Sequence, residues 1–486
     1  GWHGRYGWHG RHDVSPSIFT DLTKDPSLCW GFFMHRAQAN AIMNGMTVSY
    51  AIDLSFEEWC QTLGYVSAAE RQFPGLSEQI KSQAPTLPPT AHDLSGPDYL
   101  SALRRYRAGA SIHALWQEMT GQLTTEQMGQ TLSGIAESCL SHALADAERE
   151  VSKTHGQLRD SNGEPLTLSI IGMGKLGGHE LNFNSDIDVV LTYRAPGTAD
   201  GRRHLDAGQY LSQVGRGVIA RLDTMTEHGR VWAVDTRLRP FGASGALVWS
   251  LPAIEAYFLS EGRTWERYAW LKASHSAGDK ATSDAVLDTL RPFIYRRYRD
   301  YGIFESLRAL HAKIDGQANA SSDGHDIKRG RGGIRALEFL VQSLQLLEGG
   351  RTPSLQTPDF LGAVRALAAS QFIDAELAQG MTHAYEFLRT LENRLQALTA
   401  RQTHRLPTQP AQVERLAQLM GFESVREFEH FRIEQQAWVH AQFSDLFLER
   451  SGLRELSNKQ QSIEWPPTDL LHASLVEREV DTSSAE

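Results

Sequence analysis

The sequence predicts an α+β protein in which a few short strands lie between two helical regions. Three observations carry that expectation. Two apolar runs, residues 166–171 and 189–193, are separated by a glycine-rich turn and a short polar stretch, as two adjacent strands would be. A third apolar run, 231–234, follows after a helical pattern. On either side, apolar residues recur at intervals of three and four over long stretches, the spacing of amphipathic helices. A chain of 486 residues is long for one core, and two or three domains are expected. The divisions read from the pattern are a disordered tail at 1–24, a helical region at 25–152, a strand-containing domain at 153–300, a helical bundle at 301–450, and a linker or tail at 451–486.

The tail opens on a Trp-His-Gly-Arg repeat, first at Trp2 and again at Trp8, too short and glycine-rich to bury a core. Between Asp98 and Lys153, Leu100, Leu103, Leu115, Met119, Met128, Leu132, Ile135, Leu140 and Leu144 stand among charges and predict two or three helices. Arg104, Arg105 and Arg107 are read there as a solvated face. The polar stretch 153–165 ends in Gly-Glu-Pro and suggests a boundary. A helix is expected over 206–222. The third strand is expected to run on through 235–240, which would put Asp235, Arg237 and Arg239 on one face. Further on, Ile334, Leu337, Val341, Leu344 and Leu347 form one stripe, and Tyr385, Leu388, Leu391, Leu395 and Leu398 another. Such helices with short connections suggest an antiparallel bundle.

Hydrophobic content of 41% and charged content of 22% are those of a globular protein. The net charge of −10 argues against non-specific affinity for nucleic acid or an anionic membrane. Cys29, Cys60 and Cys139 lie far apart without CxxC spacing, so neither zinc nor a disulfide framework is indicated, and a cytoplasmic setting is the simplest. No apolar run approaches ~20 residues, the length of a membrane span.

The chemistry is expected around the first two strands. In an extended segment Asp186 and Asp188 project together while Ile187 turns the other way. Two neighbouring carboxylates repel unless a cation lies between them, and such hard oxygen ligands suit Mg²⁺. Asp235 would add a third carboxylate, and three can hold two ions about 4 Å apart. Arg237 and Arg239 would offer planar donors to phosphate oxygens, or pair with the aspartates instead. Gly172-x-Gly174-x-x-Gly177 alone fits a dinucleotide fingerprint, but that motif needs one acid closing the next strand, and here a pair opens it. Gly174 leaves its backbone open to phosphate and Lys175 is placed to reach one, the alternative being a surface lysine. Ser185 hydrogen-bonds phosphate or caps a turn, and Ser244, between Gly242 and Gly245, cradles phosphate or closes a tight turn. Lys272, after Trp265-Glu266-Arg267-Tyr268, is a further candidate phosphate contact on what would ordinarily be a solvated face. So is the cluster at Arg296, Arg297 and Arg299 such a face. Lys328 begins a basic glycine loop that runs into a helix start, an anion site by design, with Glu338 one turn beyond.

The run from Gly172 to Asp188, GMGKLGGHELNFNSDID, resembles the signature of the glutamine synthetase adenylyltransferase / adenylyl-removing enzyme, a family of polymerase-beta-like nucleotidyltransferases. The resemblance extends over roughly residues 95–405. It implies a small mixed sheet with helices followed by a helical bundle, and it aligns Asp186, Asp188 and Asp235 with the family's metal-binding aspartates. Full-length members join two catalytic halves, one transferring AMP from ATP to a tyrosine of glutamine synthetase and one removing it by phosphorolysis to ADP. The phrases RLRPFGASGALV from Arg237, WERYA from Trp265 and RPFIYRRY from Arg291 are similar to the amino-terminal, removing half.

The resemblance therefore implies Mg²⁺, phosphate, ADP or ATP, adenylylated glutamine synthetase and a PII-type signalling protein as partners, with no role for nucleic acid or membrane. The chain departs from the family pattern at Ser274, commonly arginine, at Ala336, commonly glutamate, and over 317–325, where a basic segment is usual. Those departures bear on substrate handling and regulation. The competing expectations are the forward adenylylation, a regulatory module whose chemistry has decayed, and a dinucleotide-dependent oxidoreductase.

Overall fold

Among the described residues the first helices are three short ones, α1 (Phe56–Thr62), α2 (Gly64–Gln72) and α3 (Leu76–Ser82). The computed structural model describes residues 52, 54–82, 97–297 and 325–444; the expected tails at 1–24 and 451–486, and Arg299 of the basic cluster, lie outside them. α1 opens on a capping box in which Ser55 and Glu58 satisfy each other's backbone N–H groups. Two long helices follow, α4 (Pro97–Met119) and α5 (Thr125–His155), as the leucine and methionine spacing predicts. α5 starts on a second capping box, Thr124 with Gln127, and runs on to His155, into the stretch read as a boundary.

Two of the three arginines of α4, Arg104 and Arg107, are not on a solvated face. Arg104 is buried and donates to the carbonyls of Gly229 (2.8 Å), Thr224 (2.5 Å) and Leu100 (2.9 Å). Arg107 is buried too, with its guanidinium 5.0 Å from the Trp232 ring and 5.5 Å from that of Tyr65. The cause is that α4 is covered nearly all round, so its charged residues serve as partners for loop carbonyls that would otherwise be orphaned.

The strand-bearing region begins with β1 (Leu158–Asp160) and continues with β2 (Ser169–Met173), the single turn α6 (Gly174–Gly177), β3 (Ile187–Tyr193) and β4 (Gly197–Ala199). Then come α7 (Ala207–Asp223), β5 (Val234–Asp235), β6 (Val248–Ser250), α8 (Leu251–Ser260), α9 (Thr264–Trp270), β7 (Ser274–Gly278) and α10 (Lys280–Ile294). β1 and β4 form a separate antiparallel pair. The main sheet has the order β5-β3-β2-β7, with β6 also on β3. β2 is antiparallel to both β3 and β7, whereas β5 and β6 run parallel to β3, so the sheet is mixed. Every residue of β2 is buried, because α5 packs on β7 and α10 on β2, β3 and β7.

This topology disposes of the dinucleotide fingerprint. The fingerprint needs a parallel crossover through a full helix. Here the glycine turn leads through one helical turn into an antiparallel neighbour. Gly177 is required for packing: a Cβ there would stand 1.9 Å from the Lys272 carbonyl oxygen and 2.3 Å from that of Gly172. The third strand is also shorter than expected. It ends at Asp235, and the chain turns at once, so Asp235, Arg237 and Arg239 do not share a strand face.

The remainder is helical: α11 (Ile334–Glu348), α12 (Phe360–Ala369), α13 (Ala375–Thr399), α14 (Pro410–Leu419) and α15 (Val425–Ser444). Asp359 and Asp374 cap α12 and α13. α13 is the axis of this region, packed against α2, α5, α11, α12, α14 and α15, and nearly every side chain from Gly380 to Leu398 is buried. No described helix is long and apolar enough to cross a membrane. Gly177→Ala should lower stability by about 1–3 kcal/mol, the usual cost of overpacking, read as a drop in the thermal midpoint.

Candidate active site

β3 opens inside the sheet, and its alternation decides where its acids go. Ile187 is fully buried, while Asp186 and Asp188 on either side remain partly open to solvent. The register pairs Asp188 with Met173 at the end of β2 and with Asp235 on β5. Adjacent strands lie about 4.8 Å apart, so two short strand ends deliver the three carboxylates to one edge of the sheet. Gly174, with φ 54°, comes so close to Asp188 that a Cβ there would stand 2.9 Å from Oδ2. Only glycine accommodates both that backbone angle and that approach.

Arg237 belongs to this group. Its backbone N–H donates to Asp235 Oδ1 at 2.8 Å, and its Nε lies 3.0 Å from Oδ1 and 2.9 Å from Oδ2, with Nη2 also on Oδ2. The hydrogen bond to Asp235 raises the guanidinium pKa against partial burial, and the charges of Asp235, Asp188 and Asp186 raise it further. One cation thus sits in the field of all three carboxylates, the pairing foreseen as the alternative role for Arg237. Arg239 points elsewhere: it donates to the Thr236 carbonyl and hydroxyl, both at 2.7 Å, and to the Ala246 carbonyl at 2.9 Å, bracing the loop before β6. In that loop Ser244 Oγ donates to the Phe241 carbonyl at 2.8 Å, which is the tight-turn role. Phe241 itself is exposed in the left-handed region with φ 59°.

Three carboxylates of this kind fit a hard divalent cation by donor chemistry. As the side chains lie, Asp235 is engaged by Arg237, and among the described residues no three acidic, histidine or cysteine side chains are gathered tightly enough to enclose an ion. An ion would have to share Asp235 with that arginine.

The two lysines read as phosphate contacts both have protein partners. Lys175 Nζ donates to Asn182 Oδ1 at 2.7 Å and lies 3.7 Å from Glu392 on α13, so it is not a surface lysine. Lys272 is buried between Glu180 Oε2 at 2.6 Å and Glu338 Oε1 at 3.0 Å. Burial pulls the Lys272 pKa down, but Glu180 and Glu338 prevail and push it up to about 12. For Glu338, burial raises the carboxyl pKa and the charges of Lys272 and Arg389 outweigh it, for a net lowering. The neighbouring Glu266 and Arg267 are buried as well, with Glu266 accepting from Tyr257 at 2.9 Å, so this stretch is no solvated face. Ser185 is buried immediately before the carboxylate pair. In the basic glycine loop, the backbone N–H groups of Lys328 and Arg329 are taken by Asp326 Oδ1, at 2.9 and 2.7 Å. Sequence reasoning missed Glu180, Arg389 and Glu392. Arg389 and Glu392 stand three residues apart on α13, among the leucines of its stripe, and Glu180 lies in the irregular stretch after the glycine turn.

A mixed sheet carrying paired acids at the start of one strand and a third on its parallel neighbour, flanked by helices, is the arrangement of an α+β nucleotidyltransferase-type domain. Residues 66–289 match the family described as glutamate-ammonia ligase adenylyltransferase. Residues 307–447 match the family described as GlnD PII-uridylyltransferase. Among similar proteins, the bifunctional glutamine synthetase adenylyltransferase/adenylyl-removing enzyme of Stenotrophomonas maltophilia is 42% identical over 384 residues, 78% of this chain and 41% of that protein. Its counterpart in Xanthomonas axonopodis pv. citri is 42% identical over 381 residues, covering 78% and 40%. That of Chromobacterium violaceum is 40% identical over 329 residues, covering 68% and 36%. The chain therefore spans less than half the length of the curated relatives it matches.

Removing Lys272 would leave two largely buried carboxylates without their cation. Lys272→Met should cost about 3–5 kcal/mol near pH 7. Glu338, lowered in the folded state, contributes stability above its unfolded pKa and loses it as pH falls. Lys272, raised, contributes below its unfolded pKa and loses it as pH climbs through about 12. Denaturant titrations should therefore show the gap between wild type and Lys272→Met widest between about pH 5 and 10 and narrowing below about pH 4, as pH falls toward the lowered pKa of Glu338.

Proposed function

We propose that this chain is a Mg²⁺-dependent nucleotidyltransferase that removes AMP from the adenylylated tyrosine of glutamine synthetase by phosphorolysis, as one half of a bifunctional regulator of nitrogen assimilation. The observation that carries the reading is the in-register meeting of Asp188 and Asp235, with Asp186 beside them and Arg237 in their joint field. Removal is favoured over addition because the phrases around Arg237, Trp265 and Arg291 are similar to the amino-terminal half of the family.

In the proposed reaction an oxygen of inorganic phosphate bonds to the α-phosphorus of tyrosine-linked AMP. The bond from that phosphorus to the phenolic oxygen breaks, the phenolate takes a proton from water, and ADP is released. Phosphate is already anionic near pH 7, so no side chain need act as base for it. Mg²⁺ held by Asp186, Asp188 and Asp235 would supply positive charge against the transferred group. Arg237 orients Asp235 through backbone and side chain together and sits in the field of all three acids. Arg239 and Ser244 keep the adjoining loop in shape. Gly174 lets the turn close over Asp188. The bundle's likeness to a PII-uridylyltransferase supports a PII-type protein as regulator, and a cytoplasmic setting follows from the proposed substrate.

The discriminating assay supplies adenylylated glutamine synthetase with phosphate and Mg²⁺, or unmodified enzyme with ATP and Mg²⁺. ADP and unmodified glutamine synthetase should form in the first mixture, and Asp188→Asn should reduce turnover by roughly a thousandfold, equivalent to the several kcal/mol such an ion supplies. Adenylylation in the second mixture alone would reverse the assigned direction. No turnover in either would leave a regulatory module.

A further inference from the structure

Between the glycine turn and the carboxylate pair the chain crosses the protein as an irregular, buried segment, Glu180–Asn184. Such a segment has no strand or helix partner for its peptide groups, and each must find one elsewhere. Here the partners are side chains from three helices. Ser133 of α5 accepts from Leu181 N at 3.2 Å, and Arg107 of α4 donates to the Phe183 carbonyl at 3.4 Å. The rest come from α13. Arg389 donates to the Glu180 carbonyl, Asn393 Oδ1 accepts from Phe183 N at 2.9 Å, and Gln396 Oε1 accepts from Asn184 N at 2.9 Å and Asn182 Nδ2 at 2.8 Å.

Arg389, Glu392, Asn393 and Gln396 stand at i, i+3, i+4 and i+7, so they form one polar stripe along the helix. All four are buried. A buried amide is costly unless its groups are satisfied, and the amide oxygens of Asn393 and Gln396 are satisfied by the segment they touch. The segment ends two residues before Asp186, and Asn182 in turn receives Lys175 from the glycine turn at 2.7 Å. Neither Asn393 nor Gln396 hydrogen-bonds an aspartate of the site. They act through the backbone that carries it.

We propose that Asn393 and Gln396 are positioning residues: the polar stripe of α13 fixes the backbone of Glu180–Asn184 and so sets where Asp186 and Asp188 stand on the sheet edge. The proposal rests on the reading of that pair as the reactive acids. It assigns to the helical bundle a direct part in shaping the site.

The test compares the whole chain with Asn393→Ala, Gln396→Ala, Asn393→Asp, which keeps the accepting oxygen, and Thr382→Ala, which removes a hydroxyl that bonds only within α13. Amide hydrogen exchange over residues 181–188 should be at least about fivefold faster in the two amide-to-Ala variants and unchanged in Thr382→Ala. In the phosphorolysis assay, kcat should fall roughly tenfold or more with KM for adenylylated glutamine synthetase held within about twofold, because misplacement rather than lost binding is the defect. Asn393→Asp should recover most of both. Unchanged exchange in 181–188, or faster exchange with unchanged kcat, would overturn the proposal, as would failure of Asn393→Asp to restore protection. Should Asn393→Ala not fold, Gln396→Ala carries the same comparison. If wild type turns nothing over, the proposed reaction fails while the exchange data still decide the role of the stripe.

Discussion

Like charges held close together are the constraint on which the rest of this structure depends. Asp186, Asp188 and Asp235 reach one sheet edge because two strands run in parallel register there, and their repulsion has to be answered by positive charge. Arg237 answers it within the chain, wrapped on Asp235 and raised in pKa by that contact and by all three acids. The sheet itself can tolerate so charged an end because its interior is largely apolar, with β2 buried along its whole length. The mixed topology follows from the same requirement. An antiparallel neighbour brings the glycine turn against Asp188, and a parallel neighbour brings the third acid into line with it.

The same balance is repeated beneath the site. Lys272 answers Glu180 and Glu338, and Lys175 with Arg389 answers Glu392. These pairs are sheltered from solvent, so salt screens them far less than the exposed Lys280–Asp284 pair. Their net contribution to stability is modest beside the penalty for breaking one side of them. What they do is admit a single arrangement of the turn, the connecting segment and the bundle.

Much of this was legible in the residues alone. Alternation around Ile187 placed Asp186 and Asp188 correctly, since period-two geometry holds wherever one face is core. The leucine stripes located α11 and α13, and Asp206 marked the start of α7. The errors share a cause. Arg104 and Arg107 were read as solvated, and the stretch around Glu266, Arg267 and Lys272 as ordinarily so, because charge usually marks the surface, whereas Arg104, Arg107, Arg267 and Lys272 each bond a partner distant in sequence. Local pattern cannot show a partner more than a hundred residues away, such as Gly229 for Arg104. The early end of β5 was equally invisible, because Thr236–Arg239 alternates as a strand does while its hydrogen bonds make a turn.

Glu180 ties more elements together than any local pattern suggests. Its carboxylate holds Lys272 and caps the Phe360 N–H at the start of α12, while its carbonyl takes Arg389 from α13. The strand-bearing region and the bundle were separable by eye in the sequence, yet they cannot be excised from each other. A fragment ending after α10 would keep Glu180 and Lys272 but lose the elements that roof them, and water would enter where the segment before Asp186 is now held dry. The strand-bearing region and the bundle therefore share one buried polar seam, with Glu180 joined there by Asn393 and Gln396.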